Sequence, residues 1–151
     1  MPYHNIFKKI IFAADFSESS QKAFGYALNI AEGNPGCVLV LLHVIPEPDA
    51  QFWKTYIYET DKIDEKAKVD IDEKIRQAYL SRIPAGIPHT VKMAVGSVGA
   101  AILEAAEAEG ADLIILGRGR ESSSVLQSRF LGNITGKIAR KAPCPVMIVP
   151  G

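Results

Sequence analysis

Cysteine is scarce in this chain. Cys37 and Cys144 are the only two, far apart, and neither has a histidine or second cysteine at a metal-ligand spacing. That usage argues against a disulfide framework and against a zinc site. Charge of one sign is missing as well, since 17 Lys and Arg balance 17 Asp and Glu. Binders of nucleic acid or anionic membranes rely on surplus cations, so nucleic acid is not an expected partner. No run approaches the ~20 apolar residues that span a bilayer, and Met1 to Lys9 lacks an apolar stretch of signal-peptide length. The chain therefore reads as cytoplasmic, with no membrane partner. A catalytic set is lacking too: His4 lies near a terminus, His43 ends one apolar run and His89 begins another. No Ser/His/Asp or Cys/His arrangement stands at a recognisable spacing. Cys144, between Pro143 and Pro145, reads as a buried structural thiol rather than a reactive one.

What is present is an alternation. Apolar residues make up 48% of 151, enough for a single domain over residues 1–151 whose core needs no staples. Apolar runs alternate with helix-period segments from end to end, the pattern of a parallel sheet with crossover helices. Strands are predicted at Lys9 to Ala14, Cys37 to Val44, His89 to Val95, Leu113 to Leu116 and Val146 to Val149. The recurrence of Ala23, Phe24, Ala27, Leu28 and Ala31 predicts a helix over Glu18 to Glu32, stopped by the Gly33 to Gly36 cluster. A second helix, Asp61 to Ser81, carries the stripe Ile63, Ala67, Ile71, Ile75, Ala78 and acid-first pairs such as Asp70 with Lys74 and Asp72 with Arg76. A third starts after Gly96 with Ser97 as N-cap and ends at Gly110; a fourth runs from Leu131 to Lys141. The fold class is α/β: a doubly wound five-stranded parallel sheet with about four helices. Its ligand crevice is expected outside the carboxyl ends of the strands, where strand order reverses.

The loops at those ends carry the candidate chemistry. The turn after strand one, Ala14-Asp15-Phe16-Ser17-Glu18-Ser19-Ser20, has no glycine and so is not a dinucleotide fingerprint. Asp15 can accept hydrogen bonds from a ribose or base; alternatively Asp15 and Ser17 stabilise the helix N-terminus. Glycine comes after strand four, in Gly117-Arg118-Gly119-Arg120-Glu121-Ser122-Ser123, and again in Gly132-Asn133-Ile134-Thr135-Gly136 at the last helix. Accessible backbone N–H groups, serine hydroxyls, arginine charge and a helix N-terminus suit a phosphate. The segment is not a Walker loop, because Gly-Lys-Ser/Thr is absent. The aromatic stretch Phe52, Trp53, Tyr56 and Tyr58 reads as packing of a long loop, with a lid or partner surface as the alternative.

Four ordered motifs carry a resemblance. Ala14-Asp15-Phe16-Ser17-Glu18-Ser19, Leu42-His43-Val44, Ala111-Asp112 through Gly117, and Ala142-Pro143-Cys144-Pro145 through Val149 together resemble the universal stress protein family. The resemblance implies an adenine nucleotide alpha-hydrolase-like sheet and a homodimer through the last strand, Val146, Met147, Ile148 and Val149. It implies a regulatory module that binds an adenine nucleotide, ATP, ADP or AMP, with Mg²⁺ on the phosphates. Carried over residue by residue, Ala14, Asp15 and Val44 contact adenosine, while Gly117, Arg118, Gly119, Arg120, Gly132, Asn133, Ile134 and Thr135 form the phosphate side. The family's ATP-binding branch has Gly, two residues, Gly, nine residues, Gly and Ser or Thr. Here Arg120 replaces the second glycine, eleven residues separate it from Gly132, and Asn133 replaces the hydroxyl residue. The alternative implied by these departures is a dimeric interaction module without nucleotide. A slow ATPase is the third reading, weakened by the lack of an evident base for water.

Overall fold

The computed structural model describes residues 6–46, 61–119 and 134–151. Five strands form one parallel sheet: β1 (Lys9–Ala14), β2 (Val38–Pro46), β3 (His89–Gly96), β4 (Leu113–Gly117) and β5 (Val146–Val149), in the order β3-β2-β1-β4-β5. The helices are α1 (Glu18–Gly33), α2 (Asp61–Ala78), α3 (Val98–Glu109) and α4 over residues 134–141. The chain steps from β1 out to β3, returns past β1 to β4, and steps out the other way to β5. Right-handed crossovers therefore put α1 and α2 on one face and α3 and α4 on the other.

Two cores follow from that layering, one on each face of the sheet. Ile10, Phe12, Leu39, Leu41, Leu113 and Ile115 point to α1 and α2, where Phe24, Ala27, Ile75 and Tyr79 meet them. Ile11, Val40, Leu42, Val44, Ile114 and Leu116 point the other way, to Ile102, Ala106 and Ile138. The unbroken apolar runs of β2 and β4 are thus explained by burial on both faces. The edge strands are wetter, with Ile148 on β5 and Val91 and Val95 on β3 exposed.

The boundaries depart from the sequence reading at a few points. β2 continues past Val44 to Pro46 because Ile45 and Pro46 still pair with Val95 and Gly96 of β3. β1 stops opposite His43, so beyond that point β2 has one partner and can tolerate a proline without N–H. α2 ends at Ala78, and a single tighter turn, Leu80–Arg82, replaces its last residues before Pro84. Arg76 pairs with Glu73, three residues before it, through Nε and Nη2 rather than with Asp72. Ser97 stands at the N-cap of α3 but its side chain makes no capping bond. Gly110 ends α3 in the left-handed conformation, φ 64°, as a glycine C-cap does. The aromatic stretch Phe52 to Tyr58 lies outside the described residues. No helix among the described residues is long and apolar enough to cross a membrane.

Asp112 and the cysteines lie at the amino end of the sheet. Asp112 Oδ2 accepts from the Lys8 N–H at 2.8 Å and the Lys9 N–H at 3.0 Å, stitching the start of β1 to that of β4. Cys37 is buried and Cys144, expected to be buried, is only partly so; both are free thiols. Burial, reinforced by the Asp112 carboxylate, pushes both thiols up, away from the reactive thiolate.

Candidate functional site at the carboxyl ends of the strands

The register brings three strand ends together. Ala14 pairs with His43 on one side, and Ala13 pairs with Leu116 on the other. The Ala14-Asp15 exit from β1 therefore emerges between His43-Val44 and Gly117-Arg118. This is the point where strand order reverses, with β1 leading to one edge of the sheet and β4 to the other.

Asp15 is exposed, whereas Ala14 and Ser17 are buried and Phe16 is half-buried. Its Oδ1 accepts from the Ser17 N–H at 2.9 Å and from the Ser17 hydroxyl. Ser17 is the N-cap of α1, its Oγ taking the Ser20 N–H at 3.1 Å. The two readings of this turn are thereby divided between atoms: Ser17 caps the helix, Asp15 Oδ1 holds Ser17, and Oδ2 makes no hydrogen bond among the described residues. A carboxylate held by one oxygen and open at the other is a preset acceptor for a ligand's hydroxyl or amine.

Phe16 makes the corner. It has φ 66°, a left-handed conformation for a bulky residue, at a cost of roughly 1–2 kcal/mol. Aromatic packing holds it there: its ring lies 5.1 Å from that of His43 and 5.7 Å from that of Tyr79. Its N–H donates to Tyr79 Oη at 2.9 Å. His43 Nδ1 lies 2.9 Å from the Ala14 carbonyl oxygen, which makes Nδ1 the donor and straps β2 to β1 at the lip of the crevice.

The β4 side is built by close approach. A Cβ on Gly117 would lie 2.5 Å from Ser19 C and Ser20 N, a distance no side chain accepts, so packing against α1 alone requires glycine here. Gly119 has φ 108°, and its N–H donates to Ser19 Oγ at 3.0 Å. The Arg118 N–H continues the ladder to the Val149 carbonyl at 2.8 Å. Val44 and Ile134 join one cluster on the α3 and α4 face, and Thr135 follows in the first described turn of α4. Arg120, Gly132 and Asn133 lie outside the described residues. Of the others, the structure gathers Ala14, Asp15, Val44, Gly117, Arg118 and Gly119 at one end of the sheet.

Sequence reasoning placed Phe16, Ser19 and Ser20 in this turn without giving them a role, and missed Tyr79 altogether. Tyr79 stands four residues after Ile75, just past the end of α2, a spacing that signals burial but not its hydroxyl's partner. The serine run signalled only a helix start.

Comparison with known proteins decides the family. Residues 6–150 match the universal stress protein family. The chain belongs to that family. A universal stress protein of Thermus aquaticus, encoded in the QAH/OAS sulfhydrylase 3′ region, is 30% identical over 148 residues, 95% of this chain and 99% of that protein. The solved structure of the hypothetical protein MJ0577 superposes with a TM-score of 0.72 at 26% identity over 97% of each chain. A universal stress protein family protein of Arabidopsis thaliana, solved with AMP bound, has the same fold. It superposes with a TM-score of 0.55 at 18% identity, covering 95% of this chain and 90% of that one. The five-stranded parallel α/β architecture is thus the family's own.

Proposed function

We propose that this universal stress protein is a regulatory module that binds an adenine nucleotide at the carboxyl ends of β1, β2 and β4. The observation that carries the reading is Asp15: one carboxylate oxygen is committed to Ser17, and the other, at the switch point of the sheet, makes no hydrogen bond among the described residues. Asp15 Oδ2 accepts from the ribose hydroxyls or the base amine, beside Ala14 and Val44. The segment Gly117 to Gly119, with Arg118 and Thr135, is assigned to the phosphate side, and the sequence assigns Arg120, Gly132 and Asn133, outside the described residues, to the same side. The family relative that carries AMP supports the ligand class. The longer segment between Gly117 and Asn133, ending on an amide where a hydroxyl is usual, favours AMP or ADP over ATP. Among the described residues no three metal-capable side chains gather, so Mg²⁺ would be carried by the phosphates of ADP or ATP.

Calorimetric titration of the full chain with AMP, ADP and ATP tests the reading. Saturable binding is expected, with AMP or ADP at least as tight as ATP. No heat of binding at millimolar ligand would overturn it and leave a module that serves through protein partners.

The same proposal includes a homodimer through β5. Among the described residues, Val146 to Val149 form an edge strand paired only with β4, and Ile148 is 38% exposed on it. An open edge with an exposed apolar side chain is a template for pairing with a second copy.

A further inference from the structure

We propose that Ser19 is a positioning residue that couples the two sides of the crevice, so that the site distinguishes a nucleotide from its nucleoside. The proposal rests on the nucleotide reading above and adds to it a residue and a ligand preference.

Ser19 lies in the first turn of α1 and is 1% exposed. A serine there usually bonds to its own helix or to water. Ser19 instead reaches across a hundred positions of sequence to Gly119. Its Oγ accepts from the Gly119 N–H at 3.0 Å and lies 3.1 Å from the Gly119 carbonyl oxygen. One hydroxyl thus serves both main-chain groups of a single residue, at the place where the chain leaves β4 for the phosphate side. The closeness of Gly117 to the Ser19 backbone is a second hold on the same segment.

The other end of the connection is Asp15. Ser19 Oγ lies 3.1 Å from Ser17 Oγ, and the single proton of Ser17 goes to Asp15 Oδ1. The hydroxyl proton of Ser19 therefore has two acceptors at equal distance, Gly119 O and Ser17 Oγ. In one arrangement an unbroken chain of donors runs from the Gly119 N–H through Ser19 and Ser17 to the Asp15 carboxylate, each bond polarising the next. In the other, Ser19 donates to Gly119 and fixes that residue at both its polar groups. A ligand hydroxyl donated to Asp15 Oδ2 draws on the same carboxylate, weakens its pull on Ser17, and frees the Ser19 proton for Gly119. Occupancy of the adenosine side thereby orders the backbone on the phosphate side. A nucleoside engages Asp15 without needing Gly119; a nucleotide needs both.

Calorimetry with adenosine and AMP on the full chain tests this. Ser19→Ala is expected to weaken AMP about tenfold and adenosine by less than about twofold, the loss corresponding to one buried hydrogen-bonded hydroxyl. Ser19→Thr, which keeps the hydroxyl, should retain the AMP-to-adenosine ratio of the unaltered chain. Equal weakening of both ligands by Ser19→Ala, or unchanged AMP affinity, overturns the coupling and leaves nucleotide binding standing. Failure of the unaltered chain to bind either ligand is the distinct failure of the nucleotide reading, and removes the coupling with it. Should Ser19→Ala not fold, amide exchange at Gly119 in the unaltered chain decides. Slower exchange with saturating adenosine than without ligand supports the coupling, and unchanged exchange overturns it.

Discussion

The hydroxyl of Tyr79 lies beneath the turn that presents Asp15, where it takes the Phe16 N–H and meets Ser20 Oγ, each at 2.9 Å. The residue is fully buried, and its ring packs against Phe12, Phe16 and Phe24. Burial outweighs these hydrogen bonds and pushes the phenol up from its ordinary value, so it stays a neutral donor and acceptor. Tyr79→Phe keeps the ring and strands the Phe16 N–H; a loss of about 1–3 kcal/mol in urea unfolding is expected. A loss below a few tenths would show that the hydroxyl does not hold the corner. That Tyr79 is buried was legible from its place four residues after Ile75, because helical periodicity is local. Its hydrogen bond to a residue 63 positions away was not, because no spacing within α2 encodes a partner on another element. Asp15 was similarly half legible. Its type and position marked it, but the division of work between its two oxygens depends on where Ser17 points.

At the scale of elements, the strands were read nearly to the residue because β2 and β4 are buried on both faces and show as unbroken apolar runs. The errors fall where a neighbour decides the end, as at Pro46, or where a proline ahead tightens a helix, as at Leu80–Arg82. At the amino end of the sheet, Glu109 at the end of α3 bonds Lys9 of β1 at 3.1 Å and also Lys92 of β3. The hydrogen bond from Lys92, then that from Lys9, holds its carboxyl below the ordinary carboxylate value. Its folded value is thus below its unfolded one, so its contribution is complete above the ordinary value of about 4.3 and fades as pH falls through the folded value. Urea unfolding at neutral pH and near pH ~3.5 checks this, the lower pH lying below the unfolded value. The unaltered chain is expected to lose more stability on acidification than Glu109→Gln, and equal losses would contradict the assignment.

At the scale of the molecule, the proposed function falls on two surfaces, the β5 edge and the crevice. For the first, Ile148→Asp should convert a dimer to a monomer in sedimentation velocity; an unaltered chain that already sediments as a monomer would refute pairing through β5. For the second, the family was legible in four ordered motifs, since each marks a strand end that the fold needs. The ligand was less legible, because Gly117 is demanded by packing against Ser19 whether or not a phosphate is present. That the crevice takes an adenine nucleotide is tested most plainly by an AMP titration followed residue by residue through backbone amide resonances. Saturable shifts are expected at Asp15, Val44, Gly117 and Gly119, with Lys9 and Asp112 at the opposite end of the sheet unmoved. No shifts at millimolar AMP, or shifts confined to the shallow groove at Lys22, Tyr26 and Asn29 on α1, would contradict it.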